Sequence, residues 1–155
     1  MLIAEIGSVH DGSFGNAKKL IKLAADCGAD AVKFQTHIAS AETLYDAPAP
    51  SYFRDEPRYS YFERTGFTLE QWHELLNFAS SQEIVFLSAP FSEEAVDLLE
   101  EIGMECYKIP SGEVSNLPLL EYVASKGKPV FLSSGMSNWK ELDDAVQVFQ
   151  SKCKL

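Results

Sequence analysis

The chain is poor in cysteine, in basic residues and in long apolar runs, and each shortage excludes a class of protein. Its three cysteines, Cys27, Cys106 and Cys153, form neither a zinc pattern nor a disulfide framework, so we expect reduced thiols and a cytoplasmic location. Thirteen basic against twenty-three acidic residues give a net charge of −10, which argues against nucleic-acid binding. No apolar stretch approaches the roughly 20 residues that cross a bilayer, and no signal-like segment opens the chain. We therefore expect neither membrane association nor secretion.

Hydrophobic residues are abundant, at 46% of the 155 residues, and they fall into alternating strand-like and helix-like segments. Short apolar runs that end in glycine, serine or proline precede stretches with apolar residues at helical spacing. Such alternation predicts a parallel sheet with right-handed crossovers. The predicted strands cover residues 1–6, 29–36 and 84–88, and two more begin at Cys106 and Pro129.

Two parallel α/β architectures compete for this pattern. An open doubly wound sheet suits the length, but residues 7–12 are not a G-x-G-x-x-G fingerprint and no phosphate-binding P-loop occurs. A (β/α)8 barrel better explains the polar residues at the predicted strand ends, although such barrels have roughly 200 residues or more. We predict an α/β fold of the (β/α)8 TIM-barrel type, of which this chain holds about the first five units.

Several helix boundaries are marked by capping residues. Ser13 and Ser92 are predicted N-caps, and Thr68 with Gln71 forms a predicted capping box. The last helix, residues 139–152, is predicted to turn one apolar face inward. That face consists of Leu142, Ala145, Val146 and Phe149.

The stretch 106–116 carries the strongest chemical signal. Lys108 lies on a predicted strand, and Ser111 and Glu113 lie in the turn where that strand ends. In parallel α/β proteins, chemistry is placed at this end of the strands. A cation and a carboxylate five residues apart favour an anionic substrate that also needs proton transfer. The alternative is an exposed lysine and a glutamate favoured by a helix dipole.

Polar residues interrupt other predicted strands in the same way. Glu5 lies in an apolar run, where an unpaired carboxylate would be costly and therefore needs a partner or a function. Lys33 and Gln35 are two residues apart and share one face of their strand. Ser133 and Ser134 end the fifth strand.

Residues 37–66 show no clear periodicity but contain three prolines and several aromatic residues. A connection of this length in a small domain is usually functional or disordered, and the aromatic content argues against disorder. We predict a structured cover over a site. His73, which follows this segment, is predicted to pack on a helix surface.

Five segments, in this order and spacing, resemble the sialic acid synthase family, which includes the N-acetylneuraminate, pseudaminic acid and legionaminic acid synthases. The segments are Ala-Glu-Ile-Gly…His-Asp-Gly at 4–12, Val-Lys-Phe-Gln-Thr at 32–36, Leu-Ser-Ala-Pro-Phe-Ser at 87–92, Tyr-Lys-Ile…Ser-Gly-Glu…Asn-Leu-Pro-Leu-Leu at 107–120, and Gly-Lys-Pro-Val…Leu-Ser-Ser-Gly-Met at 127–136.

The resemblance implies a (β/α)8 barrel that condenses phosphoenolpyruvate with an N-acyl-hexosamine aldehyde such as N-acetylmannosamine. The products would be a nine-carbon 2-keto acid and phosphate. It also implies a divalent metal, Mn²⁺ or Mg²⁺, and a homodimer in which a C-terminal antifreeze-like domain reaches the partner's site. We expect residues 1–155 to be the N-terminal part of such a barrel, without the later strands, the metal ligands or the antifreeze-like domain. The 155-residue chain alone would then be inactive or nearly so.

The resemblance also implies roles for individual residues, and it leaves the division of labour between two glutamates open. Glu5 and Glu113 match the acidic positions at the reacting centre, whereas His10, His37 and His73 match no metal position. Neither the N-acyl sugar nor its phosphorylation follows from the sequence. The substrate-binding positions are Lys33, Lys108 and Ser111 for phosphoenolpyruvate, Gln35 for the sugar, and Ser133 and Ser134 for additional hydroxyl contacts.

Two other functions stay open. Lys33 or Lys108, if desolvated, could form an imine, as in a Schiff-base aldolase. Alternatively, the chain is a non-catalytic fragment or a degenerate paralogue of a synthase.

Overall fold

A computed structural model describes residues 1–48 and 56–152. Cys153 and residues 49–55 of the predicted cover, which include Pro50, Tyr52 and Phe53, lie outside the described residues. Strands and helices alternate along the described part. The strands are β1 (Ile3–Gly7), β2 (Ala31–Thr36), β3 (Val85–Pro90), β4 (Tyr107–Ile109) and β5 (Val130–Leu132). The helices are α1 (Phe14–Asp26), α2 (Ala39–Glu42), α3 (Arg58–Thr65), α4 (Leu69–Ser81), α5 (Glu93–Glu101), α6 (Leu117–Ser125) and α7 (Trp139–Lys152), and a 3₁₀ helix covers Ser111–Glu113.

The strands form two parallel sheets, one with the order β1-β2-β3 and one that pairs β4 with β5. Glu5 lies opposite Lys33 in the first sheet, and the register shifts between Glu5 and Gly7. Lys108 lies opposite Phe131 in the second sheet. The predicted α/β fold with parallel strands is therefore confirmed, while barrel closure and the number of units stay predictions.

The core lies between the sheets and the helices that cover them. Phe34 of β2 is fully buried, stacks on Phe86 of β3 at 5.2 Å between ring centroids, and meets Trp72 of α4 edge-on at 6.2 Å. Tyr107 and Ile109 of β4 are also fully buried. Burying each such side chain contributes roughly 1.5–3 kcal/mol, so these contacts fix how the strands sit relative to one another.

The predicted capping residues are confirmed. Ser13 accepts a hydrogen bond from the Asn16 N–H, and Ser92 accepts one from the Ala95 N–H. Thr68 and Gln71 form a reciprocal capping box, with bonds of 3.3 and 2.9 Å. Each cap satisfies backbone donors that a helix start otherwise leaves unpaired.

The predicted inward face of α7 is wrong at one position. Ala145 is fully buried, and Leu142 and Phe149 pack against the core, but Val146 is 41% exposed. Val146 lies about 100° around the helix from Ala145, and there it lines an apolar groove beside Val130 rather than the core.

The segment that lacked periodicity is partly helical, because it contains α2 and α3. Arg64 of α3 donates hydrogen bonds to Asp11 at 2.7 Å and to Glu56 at 2.9 Å. A Cβ atom at Gly12, whose φ is +76°, would lie 2.5 Å from the Arg64 carbonyl oxygen. Helix α3 therefore packs directly on the loop that follows β1. Among the helices of residues 1–48 and 56–152, none has the length and apolar character needed to cross a bilayer.

Candidate functional site

A lysine and a glutamate on adjacent strands form the centre of the candidate site. Lys33 Nζ donates to both carboxylate oxygens of Glu5, at 2.8 Å each. The Lys33 side chain is only 5% exposed, whereas that of Glu5 is 59% exposed. The carboxylate thus has the partner that its position in an apolar run required, although it is not itself buried. The exposed side of the Glu5 carboxylate can therefore contact a second molecule.

Lys108 brings a second ammonium group toward this pair from the other sheet. Burial lowers the pKa of Lys108 below the usual lysine value, the positive charge of Lys33 lowers it further, and the Glu5 carboxylate opposes this effect. Lys108 is therefore within electrostatic reach of both residues. Among the described residues, no carboxylate forms a salt bridge with it. Two cations and one carboxylate leave an excess of positive charge that suits an anion.

Glu5 and Gln35 both lie next to Gly7 at the end of β1. A Cβ atom at Gly7 would be 3.3 Å from Glu5 Oε1 and 3.8 Å from Gln35 Oε1. Gln35 Oε1 also accepts a hydrogen bond of 3.3 Å from Ser8 Oγ. The predicted common face of Lys33 and Gln35 thus places an amide next to the ion pair.

The serines that follow β4 and β5 lie in neighbouring loops. The Ser133 N–H donates to the Ile109 carbonyl at 3.1 Å and extends the pairing of the two strands. A Cβ atom at Gly135 would be 3.6 Å from Ser111 Cβ, so the loop after Ser134 touches the start of the 3₁₀ helix. Contacts of Ser111, Ser133 and Ser134 with an anion stay predictions.

Glu113 has described contacts other than the Glu5–Lys33 pair. Its Oε2 accepts a hydrogen bond of 2.9 Å from Asn116 Nδ2, and it lines a cavity of about 500 Å³ together with Glu42, Arg58 and Phe91. The described contacts of Glu113 do not include Glu5 or either lysine. Its predicted place at the same reacting centre as Glu5 stays a prediction.

Sequence reasoning missed a buried pair directly behind Gln35. His37 Nδ1 lies 2.7 Å from Glu42 Oε1, and the imidazole is stacked between Phe62 and Phe91 at centroid distances of 3.8 and 3.9 Å. The sequence feature that could have identified His37 is its position as a polar residue immediately after β2. The same rule identified the serines after β4 and β5.

The other buried histidine has a structural environment. His10 packs on Phe67 at 4.6 Å, and its Nδ1 accepts a hydrogen bond from the Gly12 N–H at 3.1 Å. Burial lowers the pKa of His10 to about 4, although the Asp11 carboxylate opposes this shift. His10 is therefore neutral near pH 7. His73 is exposed on α4, as predicted.

The residues present do not form a metal site. Within residues 1–48 and 56–152, no group of three or more histidine, cysteine, aspartate or glutamate side chains could hold a metal ion.

Comparison with known proteins gives the relationship directly. The chain is 41% identical over 153 residues to the N,N'-diacetyllegionaminic acid synthase of Campylobacter jejuni, which covers 96% of this chain and 46% of that protein. It is 35% identical over 153 residues to the human N-acetylneuraminate-9-phosphate synthase, which covers 96% of this chain and 42% of that protein. The chain thus spans less than half the length of these two relatives.

Solved structures agree. The N-acetylneuraminic acid synthetase of Leptospira borgpetersenii, crystallised with citrate, superposes with a TM-score of 0.82 at 30% identity and covers 97% of this chain and 50% of that one. The sequence pattern of the NeuB family matches residues 20–155. These residues include every candidate site residue except Glu5. The chain therefore belongs to the NeuB family, and its relatives include synthases of N-acetylneuraminate 9-phosphate, pseudaminic acid and legionaminic acid.

Proposed function

We propose that this chain supplies the anion-binding half of a synthase that joins phosphoenolpyruvate to an N-acyl-hexosamine aldehyde. The observation that carries the proposal is the bidentate Glu5–Lys33 pair with the ammonium group of Lys108 in electrostatic reach. Two lysines from separate strands are suited to bind a phosphate and a carboxylate, since each is a compact charge with three donors. Family membership supports the same reaction class.

The proposed reaction forms one C–C bond, forms a C–O bond between water and C2, and breaks the C2–O bond to phosphate. C3 of phosphoenolpyruvate attacks the aldehyde carbon of the sugar, and the aldehyde oxygen takes up a proton. Water then adds to the cationic C2 and loses one proton to a carboxylate. The C2 hydroxyl gives up its remaining proton as the C2–O bond to phosphate breaks, which leaves the 2-keto acid and inorganic phosphate. Glu5 and Glu113 are the proposed proton donor and acceptor, because a carboxylate within hydrogen-bonding reach can serve in either role. Gln35 is proposed to contact the sugar, and Ser111, Ser133 and Ser134 to contact the anion.

The cofactor, the assembly and the location belong to the same proposal. We propose dependence on Mn²⁺ or Mg²⁺ with ligands outside the described residues, a homodimer, and a cytoplasmic location. By itself, the 155-residue polypeptide is proposed to be inactive or nearly so, since its described residues contain no group of side chains that could hold the metal ion.

The experiment is a phosphate-release assay on the natural gene product that carries this chain. We expect phosphate from phosphoenolpyruvate only when N-acetylmannosamine, or a related N-acyl sugar, and Mn²⁺ are both added. The isolated 155-residue polypeptide, assayed in parallel, is expected to release none. Phosphate release that does not depend on any sugar would overturn the proposed reaction.

One observation favours a second chemistry. The lowered pKa of Lys108 is what an imine-forming lysine requires. Borohydride treatment in the presence of a 2-keto acid should leave the protein mass unchanged if Lys108 binds an anion. A covalent adduct that disappears in Lys108→Met would instead establish Schiff-base chemistry.

A further inference from the structure

A line of polar contacts runs from a buried carboxylate to the amide beside the candidate site. Glu42 Oε1 lies 2.7 Å from His37 Nδ1, and His37 Nε2 lies 3.4 Å from Gln35 Oε1. Ser8 Oγ donates to the same Gln35 oxygen at 3.3 Å. The line joins the loops after β1 and β2 and helix α2.

The middle of this line is held in one orientation. The His37 ring is nearly parallel to Phe62, at 12° and 3.8 Å, and is also stacked on Phe91, at 25° and 3.9 Å. The side chains of His37 and Glu42 are only 7% and 4% exposed. Two aromatic faces and a buried carboxylate therefore fix the directions in which both imidazole nitrogens point.

This arrangement determines which end of the Gln35 amide is free. An amide oxygen accepts hydrogen bonds and an amide NH2 donates them. Because Ser8 Oγ and His37 Nε2 both face the oxygen, the NH2 group of Gln35 is the end left for another partner. A hydrogen bond from His37 to the Gln35 oxygen requires a proton on Nε2, while Nδ1 faces the Glu42 carboxylate.

We propose that His37 and Glu42 are positioning residues, which hold Gln35 so that its NH2 group donates to a hydroxyl or acyl carbonyl oxygen of the sugar. This inference rests on the proposed function, in which Gln35 contacts the sugar. Both contacts to the Gln35 oxygen are long and individually weak. They act in the same direction, however, and without them either end of the amide can face the substrate.

The first test does not depend on activity. The side-chain NH2 resonances of Gln35, assigned by their loss in Gln35→Ala, are followed by NMR in the natural gene product that carries this chain. His37→Phe keeps an aromatic ring in the stack and removes both nitrogens. We expect the Gln35 NH2 signals to shift toward those of a free glutamine and to become mobile, while His73→Phe, on the exposed face of α4, leaves them unchanged. Unchanged Gln35 signals in His37→Phe would overturn the proposal.

The second test separates positioning from a general structural role. In His37→Phe we expect the KM for the sugar to rise about tenfold, the value of one hydrogen bond of about 1.4 kcal/mol, with the KM for phosphoenolpyruvate changed less than twofold. The double variant with Gln35→Ala should be no worse than Gln35→Ala alone, since His37 acts through Gln35. Glu42→Gln keeps a hydrogen-bonding partner for His37 Nδ1, so it should raise the KM for the sugar less than Glu42→Ala does.

The possible outcomes separate the proposed synthase function from the positioning of Gln35 by His37. Additive losses in the double variant would contradict positioning through Gln35. If the wild-type protein releases no sugar-dependent phosphate, the proposed function fails, and the NMR comparison alone still decides whether His37 orients the amide. If Gln35→Ala leaves the KM for the sugar unchanged, the sugar contact is wrong even where the NMR result is positive.

Discussion

The two lysines of the candidate site differ in what holds their charge. Lys33 is almost fully buried and donates to both oxygens of Glu5 from the neighbouring strand. Lys108 has no such carboxylate within the described part of the chain, and its pKa is lowered by burial and by Lys33. The first lysine is satisfied by the fold and orients a carboxylate. The second lacks a counter-charge, and a bound anion would supply it.

The strands around the two lysines also differ. Lys33 lies in a sheet whose β2 residues Val32 and Phe34 are fully buried. Lys108 lies in a sheet of two three-residue strands, where Phe131 opposite it is 40% exposed. The strand neighbours of Lys108, Tyr107 and Ile109, are fully buried as well, so the two regions differ in the length and exposure of the adjoining strand and in the counter-charge of each lysine. If this contrast governs stability and binding, substitutions in the two regions should have different effects.

Removing the satisfied lysine should have the largest effect. In Lys33→Met, an anion loses one cation and meets an unpaired Glu5 carboxylate, so we expect kcat/KM for phosphoenolpyruvate to fall roughly 1,000-fold, as when a key charge-stabilising donor is lost. Phosphate release measures this fall. Lys19→Met, on the exposed face of α1, is the matched control and should change nothing. A fall of less than about tenfold would show that the pair is not central.

The packing of the first region can be broken at one glycine. In Gly12→Ala, the new Cβ would lie 2.5 Å from the Arg64 carbonyl, and φ is +76°. We expect a loss of about 2–4 kcal/mol in the free energy of unfolding, measured by urea denaturation. Gly15→Ala in helix α1 meets nothing within 4 Å and should be neutral or stabilising. Equal stability of the two variants would contradict the close packing of α3 on this loop.

The first region should also be sensitive to acid. The pKa of His10 is about 4 when folded, well below its ordinary value of 6.5, so the unfolded state binds the proton more readily. The contribution of neutral His10 is therefore fully present above pH 6.5 and is lost as the pH falls toward 4, by at most roughly 3 kcal/mol. Unfolding curves between pH 7 and 4.5 measure this loss. In His10→Phe the slope of stability against pH should flatten, and an unchanged slope would assign the acid sensitivity to other groups.

Much of this arrangement followed from the sequence, because its causes are local or periodic. The capping residues Ser13, Thr68 and Ser92 act within three residues of their own position. The pairing of Glu5 with Lys33 was not foreseen as a contact, but an isolated carboxylate in an apolar run signalled that a partner was needed.

What the sequence could not provide depends on distant contacts. Helices α2 and α3 are short and have weak periodicity, and their place is fixed by the stack of His37 between Phe62 and Phe91, which are far away along the chain. The exposure of Val146 likewise depends on which side of α7 meets the core. Tertiary packing decides such short or ambiguous segments, since local propensity is nearly balanced there.

The smallest of the expected effects concerns Lys108 and the proton that it takes up when an anion binds. Because the pKa of Lys108 is lowered, it loses its proton at a lower pH than an ordinary lysine, and a bound anion favours the protonated form. Anion binding should therefore take up a proton, and affinity should fall about three- to tenfold as the pH rises through the pKa of Lys108. Calorimetry with sulfate, which does not titrate in this range, measures proton uptake when repeated in buffers of different ionisation enthalpy. Uptake should vanish in Lys108→Met and persist in Lys126→Met, a surface lysine already paired with Asp97. Uptake that persists in Lys108→Met would assign the proton to another group, and the contrast between the two lysines would fail.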